Sequence, residues 1–234
     1  SELAVFNHWR VRSLEQNAAA AAALCWNPGL SAEEFKEDYF GRMFGPENLA
    51  AATEAYALLE EATAPSKNIV YNIGFTVDWV FRHSTDVPGY YWRRLAKAMD
   101  AYRKASDAFA KLAEKSIPTG RRQAEYMRDY AAASAFHVEA VYHLQNAKLP
   151  LMGYKAWPPS NPNAAWPPPE ILKTLAKEAS KALALEKKYM RLLAKWAKSC
   201  DEQGQLSMHH QGVIEPFTGF AARLAELYKQ ESTP

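Results

Sequence analysis

Apolar residues recur at spacings of three and four along most of the chain, which predicts amphipathic helices. The clearest stripe runs through residues 90–116 and consists of Leu95, Met99, Tyr102, Ala105, Phe109 and Leu112. A second long helical segment, 121–149, follows the short turn sequence IPTG. Because two long helices joined by a short turn pack antiparallel, the pattern predicts an all-α, up-and-down bundle of five or more helices.

Capping signals and helix breakers set the ends of the other predicted helices. Ser31 and Glu34 have the spacing of a capping box, and the Asn-Pro-Gly sequence at 27–29 ends the alanine-rich helix before them. Pro65 is expected to end the third helix. These predicted helices cover about 14–26, 31–44, 47–62, 170–199 and, after a polar break, a shorter stretch beyond Pro216.

Residues 150–169 interrupt the helical pattern with seven prolines and two tryptophans. So many prolines exclude a helix or a central strand. Trp157 and Trp166 favour an ordered, extended excursion, since exposed tryptophans on a tether would be a liability. The chain is therefore expected to divide into a first helical part at 14–149, the Pro/Trp-rich excursion at 150–169 and a second helical part at 170–234.

The segment AVFNHWRVR, residues 4–12, has strand-like character near the start of the chain. Everything downstream predicts helix or proline-rich loop, so such a strand has no pairing partner here and would leave backbone groups unpaired. Residues 1–13 are therefore either an N-terminal arm or the end of a barrel that lies outside this sequence.

Composition narrows the classes of function. The 234 residues carry 28 Lys and Arg against 26 Asp and Glu without a basic cluster, which argues against nucleic-acid binding. No apolar run is long enough to cross a bilayer, so we expect no membrane partner. Cys25 and Cys200 could form at most one bridge, and two buried thiols are the prediction.

Histidine and carboxylate spacing gives one weak metal signal. Glu139 and His143 share a helix face, but a bundle di-iron site needs a second Glu-x-x-His pair that this sequence lacks. His209 and His210 are adjacent, so their side chains point apart and do not share one metal. We therefore expect neither a metal nor another cofactor.

The order HWRVRSLEQNAAAAAALCWNP followed by SAEEFKEDYFGRMFG resembles a join in certain bacterial glycoside hydrolases. These large enzymes have hexosaminidase-like or α-glucuronidase-like (β/α) barrels, and the join connects the last barrel strand to a C-terminal helical region. YMRDYAAASAFHVEA and CDEQGQLSMHHQGVIEPFTGF are similar to later parts of the same region. The positions that carry the resemblance at the join are Trp9, Arg10, Glu15, Asn17, Trp26, Asn27, Pro28, Glu34, Phe35, Tyr39, Phe44 and Gly45.

The resemblance implies that this chain is the C-terminal helical domain, or a fragment, of a carbohydrate-active enzyme. It implies that the rim of the substrate cleft includes His8, Trp9, Arg10, Arg12 and Glu15, since strand C-termini line the active site of such a barrel. A tryptophan there offers an apolar face to a sugar ring, and an arginine can bind a carboxylate or hydroxyls. The paired catalytic carboxylates would lie on earlier strands, so we expect no hydrolysis by this chain alone.

Further expectations follow from the same resemblance. The partners would be a carbohydrate, bound through the parent enzyme, and either the missing barrel or a second copy of this chain. A secreted or periplasmic location would follow only if the parent carries a signal peptide. A second sugar-binding surface is a weaker expectation from aromatic and charged density at Asp78, Trp79, Arg82 and His83.

Two alternatives compete with the hydrolase hypothesis. One is an independent helical binding or interaction module without catalytic activity, whose opening segment is only an arm. The other is a stand-alone bundle enzyme with a metal at Glu139 and His143. A large exposed apolar patch where the barrel would pack favours the hydrolase hypothesis, whereas a closed polar surface around a groove favours the binding module.

Overall fold

The computed structural model describes residues 15–66, 90–148 and 168–231, and these residues are almost entirely helical. The helices are α1 (Glu15–Trp26), α2 (Ala32–Phe44), α3 (Leu49–Ser66), α4 (Tyr90–Lys115), α5 (Pro118–Lys148), α6 (Pro169–Ala194), α7 (Cys200–His209) and α8 (Glu215–Glu231). A 3-10 turn at Pro46–Asn48 precedes α3, and a π-helical turn at His210–Ile214 joins α7 to α8. No strand occurs in the described ranges, and the predicted all-α class is confirmed. The predicted arm at 1–13 and most of the excursion, 150–167, lie outside the described residues.

Helices α3 to α6 pack side by side, each antiparallel to the one before it. Contacts between neighbours run in opposite directions along the two helices, as in the pairs Tyr56–Phe109 and Glu61–Lys97, Arg103–Glu139 and Ser106–Arg128, and His137–Glu186 and Asp129–Lys195. This is the up-and-down arrangement that the short turn between α4 and α5 predicted.

The apolar stripe of α4 faces two connected parts of the core. Phe109 and Leu112 pack with aromatic residues of α2 and α3, among them Phe40, Phe44 and Tyr56. Leu95 and Tyr102 pack with residues of α5, α6 and α8, among them Val141, Leu172, Leu175 and Phe217. Every predicted stripe position is buried except Met99, which is partly buried, so the sequence prediction of this face is confirmed.

Capping explains where several helices begin and end. The Ser31 hydroxyl accepts a hydrogen bond from the Glu34 N–H, and the Glu34 side chain accepts one from the Ser31 N–H, which confirms the capping box. Gly45 ends α2 with a positive φ of 101°, a conformation that residues with a Cβ rarely adopt.

Four predicted boundaries are wrong. α3 continues through Pro65 to Ser66, and α5 begins at Pro118 because proline fits the first position of a helix. α6 ends at Ala194 instead of 199, since Ser199 and Glu202 form a second capping box that starts α7. The predicted polar break before Pro216 is therefore helical and includes the π-helical turn.

A close backbone contact fixes the start of α5 against the end of α2. A Cβ added at Gly120 would lie 2.1 Å from the carbonyl oxygen of Met43 and 2.8 Å from the Phe44 ring. In the same region the buried Asn48 side chain donates to the carbonyl oxygens of Phe44 and Lys115, which satisfies acceptors at the ends of α2 and α4. Only glycine fits at position 120 without moving backbone.

We expect Gly120→Ala to lower the free energy of unfolding by roughly 1–3 kcal/mol, because the new methyl group would push α5 away from α2. Gly41→Ala is the matched control: it lies inside α2, has open space at the added Cβ, and should be neutral or stabilising by up to about 1 kcal/mol. Urea unfolding followed by circular dichroism measures both. Equal effects of the two substitutions would contradict the close-contact interpretation.

Candidate functional site

The structure describes one of the predicted rim residues. Glu15 is the first residue of α1 and is partly buried. The other predicted rim residues, His8, Trp9, Arg10 and Arg12, lie outside the described residues, as does the predicted second surface of Asp78, Trp79, Arg82 and His83.

The outer face of α1 is apolar and exposed. The alanines at 19, 20 and 23 pack partly against the aromatic core below, but no residue of α1 is buried. At the end of the helix Leu24 is 45% exposed and Trp26 is 93% exposed. Leu24 and Trp26 therefore form an exposed apolar surface at the end of α1.

Glu15 lies close to two buried tyrosines beneath the start of α1. Burial raises the pKa of Tyr39 to about 12, with a further contribution from the negative charge of Glu15. Burial likewise raises the pKa of Tyr56, whose hydroxyl is hydrogen-bonded to Gln123. The Tyr39 hydroxyl is buried and has no hydrogen-bond partner among the described residues. The predicted rim residue therefore acts electrostatically on one tyrosine of α2 and one of α3.

Carboxylates cross the interface between α5 and α6 at three levels, which we call the polar seam. The pairs are Asp129 with Lys195, Glu186 with His137 and Glu178 with His143. The α5 residues of the three pairs are 129, 137 and 143, in chain order. Their partners, on α6 or just after it, are 195, 186 and 178, in reverse chain order. The seam thus follows the antiparallel register of the two helices.

Glu186 is fully buried at the centre of the seam and binds two histidines from two other helices. Its Oε1 lies 2.7 Å from Nδ1 of His137 on α5, and its Oε2 lies 2.9 Å from Nε2 of His209 on α7. Burial acts to raise the pKa of Glu186, but the charge and hydrogen bond of His137 and the hydrogen bond of His209 outweigh it and hold the pKa at about 2. The carboxylate is therefore ionised at neutral pH and accepts from both rings.

Asp129 forms the seam contact nearest the end of α6. Its Oδ2 accepts hydrogen bonds from Nζ of Lys195 at 2.8 Å and from Nε1 of Trp196 at 2.9 Å, while Oδ1 accepts from Arg128. Burial acts to raise the pKa of Asp129, yet these hydrogen bonds and the charge of Arg128 lower it below its ordinary value. Asp129 thereby holds the buried Trp196 ring against Tyr126.

Glu139 and His143 bind different side chains in the structure. Glu139 forms an ion pair with Arg103 at 2.9 Å, and His143 Nδ1 lies 2.5 Å from Oε2 of Glu178. Lys181 binds the other Glu178 oxygen. The described part of the chain holds no group of three or more His, Cys, Asp or Glu side chains arranged to hold a metal ion.

Two smaller sequence predictions have definite outcomes. The thiols of Cys25 and Cys200 are both free and exposed, so the prediction of two buried thiols is wrong. Cys25 is the last residue but one of α1, and Cys200 is the first residue of α7, so both lie at exposed helix ends. His209 is buried whereas His210 is exposed, which confirms that the adjacent rings point apart.

Sequence reasoning missed the buried histidine cluster because its three members are far apart along the chain. Glu186 stands in the charged run Glu186-Lys187-Lys188, which is typical of a solvated helix surface, and neither His137 nor His209 has a carboxylate of the cluster near it in sequence. One signal was available, since Glu186 follows Leu172, Leu175, Ala179 and Ala182 on the apolar stripe of α6. A charged residue on such a stripe predicts a buried partner.

Comparison with known protein families, with curated proteins and with solved structures finds no significant match for this chain. Among the described helices, none has the length and apolarity to cross a membrane.

Replacing Asp129 tests how much the polar seam contributes to the free energy of unfolding. We expect Asp129→Ala to lower the free energy of unfolding by roughly 2–4 kcal/mol, because it leaves the buried Trp196 N–H without its acceptor. Asp100→Ala removes an exposed carboxylate paired with Lys104 and should cost less than about 1 kcal/mol. Chemical denaturation at pH 7 measures both variants. Similar losses of unfolding free energy would show that the Asp129 contacts contribute no more than an exposed ion pair.

Proposed function

We propose that this chain is the C-terminal helical domain of a carbohydrate-active enzyme and packs against a catalytic barrel through α1. The observation that carries the proposal is the apolar, uncovered end of α1, where Leu24 and the 93% exposed Trp26 face outward. Covering one large aromatic side chain of this kind stabilises an interface by roughly 2 kcal/mol or more.

The position of α1 in the sequence supports a barrel as the covering unit. The residues that resemble the join in bacterial glycoside hydrolases run from Trp9 to Gly45, and α1 lies within them. In an enzyme of that kind α1 follows the last barrel strand directly. Glu15 at the start of α1 would then face the rim of the substrate cleft, with the tyrosine pair beneath it as support.

The chemistry of the buried carboxylates supports a structural role for the helical domain itself. Glu186 is bound by two histidines, and Asp129 by Lys195, Trp196 and Arg128. Carboxylates held in this way stay ionised and engaged, whereas glycoside hydrolysis needs one carboxyl group that holds a proton for the leaving group. The catalytic pair is proposed to lie in the barrel.

The first test is the coding sequence upstream of Ser1 in the source organism. We expect it to continue in frame into barrel strands with two carboxylates at their C-terminal ends, and we expect only the longer protein to hydrolyse nitrophenyl glycosides. A start codon beside Ser1 would overturn the proposal, and the independent binding module would take its place.

The two cysteines allow a direct test of how α1 is covered. In the chain alone, Cys25 and Cys200 should both react rapidly with a thiol reagent, because both are exposed. In the longer protein we expect Cys25 on α1 to become protected at least roughly 10-fold, while Cys200 on α7 stays reactive as an internal control. Unchanged reactivity of Cys25 would mean that the barrel does not cover α1.

A pair of substitutions then tests the interface energy. Trp26→Asp should weaken association of separately expressed barrel and helical domain by roughly 10-fold or more, because it places a charge in the covered surface. Ile117→Asp, at a 41% exposed position in the turn between α4 and α5, should leave association unchanged. Isothermal titration calorimetry measures both, and equal binding by the two variants would contradict the assignment of α1.

A further inference from the structure

The C-terminal unit, residues 200–231, comprises α7, the π-helical turn and α8. Its buried apolar contacts with the bundle come from Val213, Phe217 and Leu224. Its buried charged contact with α6 is the hydrogen bond between Nε2 of His209 and Oε2 of Glu186. The π-helical turn begins at the residue after His209, and π-turns of this kind concentrate at functional sites.

Glu186 joins this unit to both long helices of the seam. The groups that act electrostatically on its carboxylate are His137 from α5 and His209 from α7. Tyr189, one turn further along α6, packs its ring against both imidazoles, with ring centroids 5.4 Å and 4.7 Å away. The neighbouring Lys188 lies over the Phe136 ring.

The cluster therefore consists of one buried carboxylate and two buried imidazoles drawn from three helices. Each oxygen of Glu186 has one ring nitrogen as donor, so protonation of the carboxylate removes an acceptor from the cluster. The imidazole that loses its acceptor is then a buried donor without a partner, which is unfavourable. The contact from α7 is the one that can be released without separating α5 from α6.

We infer that the buried Glu186, His137 and His209 cluster is an acid-sensitive latch, which holds the C-terminal unit on the bundle and releases it before α2 to α6 unfold.

The sign and size of the effect follow from proton linkage. The pKa of Glu186 is lowered from its ordinary 4.5 to about 2 in the closed state, so the ionised carboxylate stabilises that state above about pH 4.5 and does so less as the pH falls. Release of α7 leaves His137 bound to Glu186, and His137 contributes the larger part of the lowering of the pKa. The opening equilibrium of the C-terminal unit should therefore rise by less than roughly 30-fold between about pH 6 and pH 3.

Two other seam carboxylates also have lowered pKa values and must be separated from this effect. Asp129 binds Lys195, Trp196 and Arg128, and Glu178 binds His143 and Lys181. The contacts of Asp129 with Lys195 and Trp196, and of Glu178 with His143, join α5 to α6 or to the residues just after it. The contacts with Arg128 and Lys181 lie within a single helix, and none of these partners belongs to the C-terminal unit. Acid weakening of these contacts therefore loosens the bundle as a whole, whereas acid weakening at Glu186 acts on α7 and α8 first.

Native-state hydrogen exchange across a pH series distinguishes local release from global unfolding. After correction for intrinsic rates, we expect protection of the α7 and α8 amides to fall several-fold, and by less than roughly 30-fold, between about pH 6 and pH 3, while protection of α2 and α3 amides falls less. Glu186→Gln should remove the part of the response confined to α7 and α8. Glu178→Gln on the same helix should leave that part intact, because the hydrogen bonds of Glu178 are with His143 on α5 and Lys181 on α6 itself.

A histidine pair supplies a second test that does not depend on the folding of the Glu186 variant. His209→Gln should open the C-terminal unit roughly 10-fold or more at neutral pH, whereas His210→Gln alters an exposed neighbour and should not. A fall in protection that is equal across α2, α3, α7 and α8 would overturn the latch. So would a Glu186→Gln protein whose α7 amides keep the pH response of the original chain.

Discussion

A carboxylate buried without solvent must be surrounded by donors, and this requirement at Glu186 organises the second half of the bundle. Meeting it draws His137 from α5 and His209 from α7 to the same point on α6. Two helices with an apolar interface can slide by one helical turn with a modest loss of free energy. The two hydrogen-bonded oxygens of Glu186 do not allow such a shift. The polar contacts of the seam therefore set register, and the surrounding leucines and alanines supply most of the burial energy.

The polar seam and the α1 edge differ in the kind of surface that they present. The seam is polar and largely buried, and its carboxylates are hydrogen-bonded. The α1 edge is apolar and exposed, and it lies on an aromatic core built from Phe35, Tyr39, Phe40 and Tyr56.

Periodicity predicted the bundle well because helical faces are a local property of sequence. The α4 stripe from Leu95 to Leu112 and the Ser31 capping box each depend on residues within a few turns of each other. Glu186 and its two histidines could not be placed in the same way, since 49 and 23 residues separate it from its partners. The helix boundary near Ala194 was missed for another reason: the signal that ends α6 is the cap of the next helix, Ser199 with Glu202.

The alanine composition of α1 has a geometric consequence. Alanine side chains add little to the radius of a helix, so a neighbour can approach its backbone more closely than it could approach a leucine-rich helix. α1 already packs one side on the aromatic core through the alanines at 19, 20 and 23, and its exposed residues lie on other sides. Any unit that covers the exposed side of α1 would therefore lie close to the aromatic core on its other side.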